Sequence, residues 1–294
     1  MGKCSLGLAG FILFATQVSA SDILTADFET GEEGDSITEF HSLKRPENAT
    51  YSTEVAGPYS GEKVLKIEQK KTEKYFGGKI ANVDLGEGKE IWVRWYQFFP
   101  EDFAFANGVN GDDLGGAGSI KWLRFQYPGV SERITLLMDA TYRCYDPCTD
   151  HLNSLVPEKF VGELQGWKER YGSTSAVYID KENYPLGEWH AMQVYLKLSK
   201  GSSDKGDGNG LIRMWMDDKL IAEFQRNTMP VNGGALRSIW LGDYWNGGFP
   251  KDQHWFIDHL DVSTEQPVGT DSHGNYFIVP ISNAPMPPSS VRLD

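Results

Sequence analysis

Between Met192 and Leu198 the chain alternates without a break. Met192, Val194, Leu196 and Leu198 fall on one side, and Gln193, Tyr195 and Lys197 on the other. Only an extended strand, whose successive side chains point to opposite faces, keeps two such sets apart. The run from Trp92 to Phe99 behaves alike: Trp92, Arg94, Tyr96 and Phe98 share one face, and Val93, Trp95, Gln97 and Phe99 the other. Further runs rich in β-branched and aromatic residues follow at 120–127, 134–138, 211–216, 220–224, 238–241 and 255–262, and clusters of Gly, Pro, Asn and Asp separate them. Asp217-Asp218-Lys219 marks a hairpin turn between two of them. Short strands with this punctuation predict an all-β fold, a two-sheet antiparallel jelly-roll sandwich, with Trp95 and Leu196 in the core and Tyr195 outside it. Only 157–167 has the character of a short helix.

The chain ends have a different composition. Lys3 precedes an apolar run from Leu6 to Ala15, and Val18-Ser19-Ala20 supplies the small residues of a cleavage site. Residues 1–20 therefore predict a signal peptide, too short to span a bilayer, and a secreted or periplasmic mature chain. Residues 21–264 form the β-sandwich domain. Residues 265–294, rich in Pro, Ser and Gly, are an extended wrap or loose end without a core of their own. The mature chain has 27 basic and 41 acidic residues, a net charge of −14. No basic stripe dominates, which argues against nucleic acid as a partner, whereas a locally cationic cleft remains compatible with an anionic polymer. A monomer without a membrane span after signal cleavage is expected. In an oxidising compartment, Cys144 and Cys148, with the turn pair Asp-Pro between them, favour a local disulfide over a zinc site. With His151 the zinc set would still be incomplete.

Arg94, Tyr96, Lys121, Gln193, Tyr195, Lys197, Arg213 and Trp215 all sit on predicted strands and mix rings with cations and amides. Sugar sites use that mixture, because rings stack on pyranose faces while polar groups bond hydroxyls and carboxylates. Gly187-Glu-Trp-His190, Val194-Tyr-Leu-Lys-Leu198 and Gly210-Leu-Ile-Arg-Met-Trp-Met-Asp217 resemble the corresponding run of concanavalin A-like sandwich proteins. The likeness is strongest to polysaccharide lyases of the alginate and heparin lyase types. Trp95 to Pro100 with Gly118 to Lys121, and Asp27 to Gly31 with Trp255 to Asp258, extend the resemblance over residues 22–264. The E-x-D-x-x-E strand of the superfamily's hydrolases is absent, which disfavours a paired-carboxylate mechanism.

What the resemblance implies is β-elimination on a uronate-containing, anionic polysaccharide, with a non-catalytic carbohydrate-binding module or lectin as the alternative. A lyase must neutralise the uronate carboxylate, take the neighbouring proton and protonate the leaving oxygen. Lys121, Arg94 or Arg213 suits the first task. Tyr195 suits the proton transfers, beside Lys197 on its strand face, and Tyr96 is the second choice. Gln193, Arg213, His190, Tyr244 and Trp245 are the candidate substrate contacts, although the place of His190 at a strand start favours a structural role over that of a catalytic base. This chemistry requires no cofactor, and a structural calcium ion would fall to Asp27, Glu29 and Asp258, near the two chain ends.

Overall fold

The computed structural model describes residues 22–58, 61–103, 119–127, 133–140, 155–156, 160–162, 186–200, 209–226, 228–229, 234–245, 248–249 and 251–279. Two antiparallel sheets make the sandwich. The first contains β1 (Asp22–Ala26), β3 (Ala49–Ser52), β4 (Val64–Gln69), β6 (Glu90–Phe98), β11 (Trp189–Lys197), β12 (Gly210–Met216), β13 (Lys219–Arg226) and β15 (Gln253–Ser263). Its order is β13-β12-β11-β6-β15-β4-β3, with β1 also paired to β15. The second contains β2 (Ser42–Leu43), β5 (Gly78–Leu85), β7 (Ser119–Gln126), β8 (Arg133–Ala140), β9 (Leu155–Val156), β10 (Phe160–Gly162) and β14 (Leu236–Trp245). It runs β10-β8-β7-β14-β5-β2, with β9 on β8. A separate hairpin joins β16 (Gly269–Thr270) to β17 (Tyr276–Phe277).

The alternation read from the sequence sorts the faces correctly. Val93, Trp95, Met192, Val194 and Leu196 enter the main core, each fully buried. Trp95 meets Trp122 of the opposite sheet edge-to-face at 5.6 Å. Phe99 stacks on Trp255 at 5.2 Å. The buried amide Gln97 sits in this apolar layer because its oxygen accepts the Trp95 indole N–H at 3.0 Å. Buried polar groups persist where such partners exist. Asp217 and Asp218 close the β12–β13 hairpin with φ of 48° and 63°. Two left-handed residues in sequence give the twist of a two-residue hairpin turn, and Asp tolerates that region well.

The structure departs from the expected elements in two places. Residues 160–162, inside the segment read as helical, form β10 and pair with β8. Five strands precede residue 90, where the apolar runs are too short to stand out. No helix among the described residues is long and apolar enough to cross a membrane. The signal segment and both Cys144 and Cys148 lie outside the described residues.

Candidate functional site

The predicted site residues divide between the two sheets. Arg94 and Tyr96 on β6, His190, Gln193, Tyr195 and Lys197 on β11, and Arg213 on β12 belong to the first sheet. Lys121 on β7 and Tyr244 and Trp245 on β14 belong to the second. The five expected catalytic residues therefore do not belong to one sheet: the strand of Lys121 is in the second, and those of Arg94, Tyr96, Tyr195 and Lys197 are in the first. A strand's alternation reports which side is dry, but not which sheet the strand joins.

On the first sheet the wet face is covered. The β16–β17 hairpin lies across it and inserts Phe277 among Trp92, Tyr195 and Trp215, with Leu211, Leu220 and Ile278 around them. Trp92 donates its indole N–H to the Tyr276 carbonyl at 3.2 Å, and Arg94 donates to the Ile278 carbonyl at 3.1 Å. Gln193 accepts the Ile278 N–H at 3.1 Å. Trp215 donates to Asp271 at 2.8 Å. Tyr195 is left 6% exposed and Arg94 2% exposed, so neither meets a polymer while the hairpin is seated. Burial, reinforced by the Glu90 carboxylate and opposed by Arg213, pushes the Tyr195 hydroxyl far above the ordinary tyrosine range. That environment suits a packed phenol better than a base.

The other expected residues of this sheet have structural partners as well. Arg94 pairs with Asp218 at 2.9 Å and reaches the Tyr96 hydroxyl at 3.3 Å. His190 is buried, with Nδ1 2.8 Å from Asp217, whose other oxygen accepts the Ala191 N–H at 2.9 Å. Arg213 bonds Glu223 at 2.6 Å, and Lys197 faces Glu90 at 3.7 Å. Asp27, Glu29 and Asp258 do not gather as a ligand set. No group of three or more His, Cys, Asp or Glu able to hold a metal occurs among the described residues. The Glu29 carboxylate instead accepts the Glu62 and Lys63 backbone N–H groups, Asp27 accepts that of Glu29, and Asp258 is buried and accepts that of His259.

The second sheet presents a different surface. Its outer positions form three rows across the strands. Asn82, Ser238 and Gln126 are in register, as are Lys79, Trp240 and Arg124. Tyr244 is opposite Lys121 on one side and bridges to Tyr75 on the other. The Tyr75 and Tyr244 rings meet edge-to-face at 5.1 Å. The Lys44 ammonium stands 4.5 Å from the Tyr75 ring centre and 5.2 Å from that of Trp240. A bulge in β14 between Leu241 and Tyr244 brings the last row into place. Gly242 makes that bulge, with φ of 67° and Phe76 so near that a β-carbon would come within 2.7 Å of its ring. Glycine alone accepts both conditions without strain.

At the far row the hydrogen bonds assign their own polarity. Lys79 can only donate, and it reaches the Asn82 oxygen at 3.2 Å. The Asn82 amide nitrogen therefore faces His41, 2.9 Å from Nε2 and 3.2 Å from Nδ1. An amide NH2 only donates, and which His41 ring nitrogen it faces as acceptor depends on the tautomer. Cations on this face include Lys44 and Lys79, with Arg124 in register beside Trp240 but buried, while the acid Asp84 is held by Arg237 at 2.7 Å. Sequence reasoning singled out Lys121, Tyr244 and Trp245 on the strands of this sheet and missed His41, Lys44, Tyr75, Lys79, Asn82 and Arg124. The alternation of Asn82 and Asp84 with Val83 and Leu85, and of Arg124 and Gln126 with Leu123 and Phe125, carried the signal for some of them.

No protein-family model matches the chain, and no curated protein matches it by sequence. Solved structures do match in fold. An alginate lyase, Aly36B, in a variant complexed with alginate trisaccharide, superposes with a TM-score of 0.52 at 11% identity, covering 83% of this chain and 98% of that one. A second variant of that lyase, with alginate tetrasaccharide, gives 0.50 at 11% identity over 82% and 96%. An endo-β-1,4-glucuronan lyase from the fungus Trichoderma reesei gives 0.47 at 14% identity over 83% and 96%, too distant to add to the comparison. At such identities the likeness establishes the fold and leaves the site to its own geometry. The chain is an all-β, two-sheet antiparallel jelly-roll sandwich, and the solved structures it resembles in fold include polysaccharide lyases.

Proposed function

We propose that this protein is an exported lyase that cleaves a uronate-containing polysaccharide by β-elimination on the outer face of the second sheet. The observation that carries the reading is the Lys44 ammonium set over Tyr75 and Trp240, beside the Tyr75–Tyr244 pair and near the row of Lys79 and Trp240. The alginate lyase among the neighbours in fold supports this choice of chemistry. A polyuronate is drawn to a local cluster of cations on a protein of net charge −14, and repelled elsewhere. The rings of Trp240 and Tyr75 offer stacking surfaces, and Lys44 offsets the carboxylate charge.

The reaction removes the proton next to the carboxylate, forms a carbon–carbon double bond and expels the glycosidic oxygen, which takes up a proton. Offsetting the carboxylate lowers the cost of the carbanion-like state. Tyr244, next to Tyr75 and in register with Lys121, is the residue we assign to the proton transfers. A positioned phenol can give and receive protons in this way. His41, hydrogen-bonded to Asn82, contacts a sugar further along the chain.

The test is incubation with a panel of uronate polysaccharides, following the ultraviolet absorbance of the unsaturated product. Tyr244→Phe should lower turnover by roughly a hundredfold or more with glycan binding kept, while Tyr195→Phe should not. The reverse pattern would move the reaction to the first sheet. Binding without eliminated product in the unmutated protein would establish a carbohydrate-binding module instead.

A further inference from the structure

The β16–β17 hairpin is a module in its own right. Gly269 pairs with Phe277 and Thr270 with Tyr276, and these strands share no ladder with either sheet. Its turn is built by Asp271, which accepts the His273 and Asn275 backbone N–H groups at 2.8 and 2.9 Å. The hairpin is thus internally bonded before it touches the sandwich. Among the described residues it docks through side chains of the first sheet: Trp92, Arg94 and Gln193 bond its main chain, Trp215 bonds Asp271, and the ring slot takes Phe277. Main-chain bonds that hold an extended segment and a pocket that selects one side chain divide the work as in peptide recognition by sheet surfaces. The segment that joins the hairpin to β15 is exposed, with Val268 at 93%.

We propose that the outer face of the first sheet is a docking groove for this hairpin, and that the hairpin of a second copy fills it as well as the chain's own. Undocking breaks no sheet ladder, so the exchange leaves both sandwiches intact. An element joined by an exposed linker and received by an identical groove is the arrangement that permits domain swapping. Within one chain the hairpin competes at an effective concentration of roughly millimolar, so the monomer prevails until its own hairpin or groove is disabled. This inference stands apart from the chemistry on the second sheet.

The test is complementation between full-length chains. Phe277→Ala leaves a groove without a competent hairpin, and Trp215→Ala leaves a hairpin without a competent groove. Each alone should elute as a monomer, and an equimolar mixture of the two should give a one-to-one heterodimer on size exclusion. Two folded variants that stay monomeric when mixed at concentrations approaching a millimolar would overturn the proposal. Hydrogen exchange on the unmutated protein tests it without any variant. The Ile278 amide, bonded to Gln193, should exchange at least tenfold faster than the ladder amides of β6 and β11. Equal protection would show that the hairpin opens only with the whole fold, and would equally overturn it.

Discussion

Phe277→Ala removes the one ring that the hairpin commits to the sandwich. Phe277 is 6% exposed and stacks on Trp215 at 6.3 Å, so nearly all of its side chain is removed from water on docking. A phenylalanine buries roughly 150 Å² or more, which at about 25 cal/mol per Å² is worth about 4 kcal/mol. Alanine retains the β-carbon, and the exposed flank of the hairpin, with Tyr276 at 44%, allows the slot to collapse. The expected loss is therefore about 3 kcal/mol, the low end for a Phe→Ala change. If the hairpin leaves only with the whole fold, this lowers Tm by roughly 6–12 °C for a domain of this size. If it leaves first, the loss shows as a separate early transition in the fluorescence of Trp92 and Trp215, and the main transition moves less. Calorimetry and tryptophan fluorescence on the same samples separate the two cases. An unchanged Tm with unchanged fluorescence would refute the view that Phe277 anchors the hairpin.

Lys44→Met should lower polysaccharide affinity and turnover together, since it removes charge that acts on bound substrate and transition state alike, and the affinity of the unmutated protein should fall as salt rises. Steady-state kinetics at two ionic strengths check both. Asp271 should make hairpin docking acid-sensitive. Burial raises its pKa, but the bonds from Trp215, Asn275 and His273 prevail and hold it at about 2. A folded pKa below the unfolded value contributes stability above about pH 4 that is lost as pH falls through about 2. A Trp215 emission change confined to that window is the expected readout. Asp217→Ala should cost about 2–3 kcal/mol, because the buried His190 and the Ala191 N–H lose their acceptor and alanine tolerates a φ of 48° poorly. Asp217→Asn, which keeps an acceptor and the turn, should cost less in denaturant unfolding.

Period-two alternation is a local property, and it was enough to determine much of this protein. It placed Trp95 and Leu196 in the core, put Arg94, Gln193 and Tyr195 on the opposite face, and located the turn at Asp217 and Asp218. It also produced the all-β sandwich, because several such strands have no other way to bury their dry sides. The weaker alternation of β5, and the two-residue β2 that brings His41 and Lys44 into position, gave little local signal. Their role depends on β14, more than 150 residues away in the chain. Only the tertiary structure decided that Lys121 and Tyr195 occupy different sheets, since pairing partners are chosen over long separations by packing and loop geometry. Nor does alternation distinguish a face that meets solvent from one that meets another part of the chain. Both are outside the core, and both carry polar groups. Arg94 and Gln193 resemble solvated residues in their own strand because their partner, the Ile278 main chain, lies 184 and 85 residues away. A backbone carbonyl or N–H looks the same in every residue, so the sequence could not announce where it would be used.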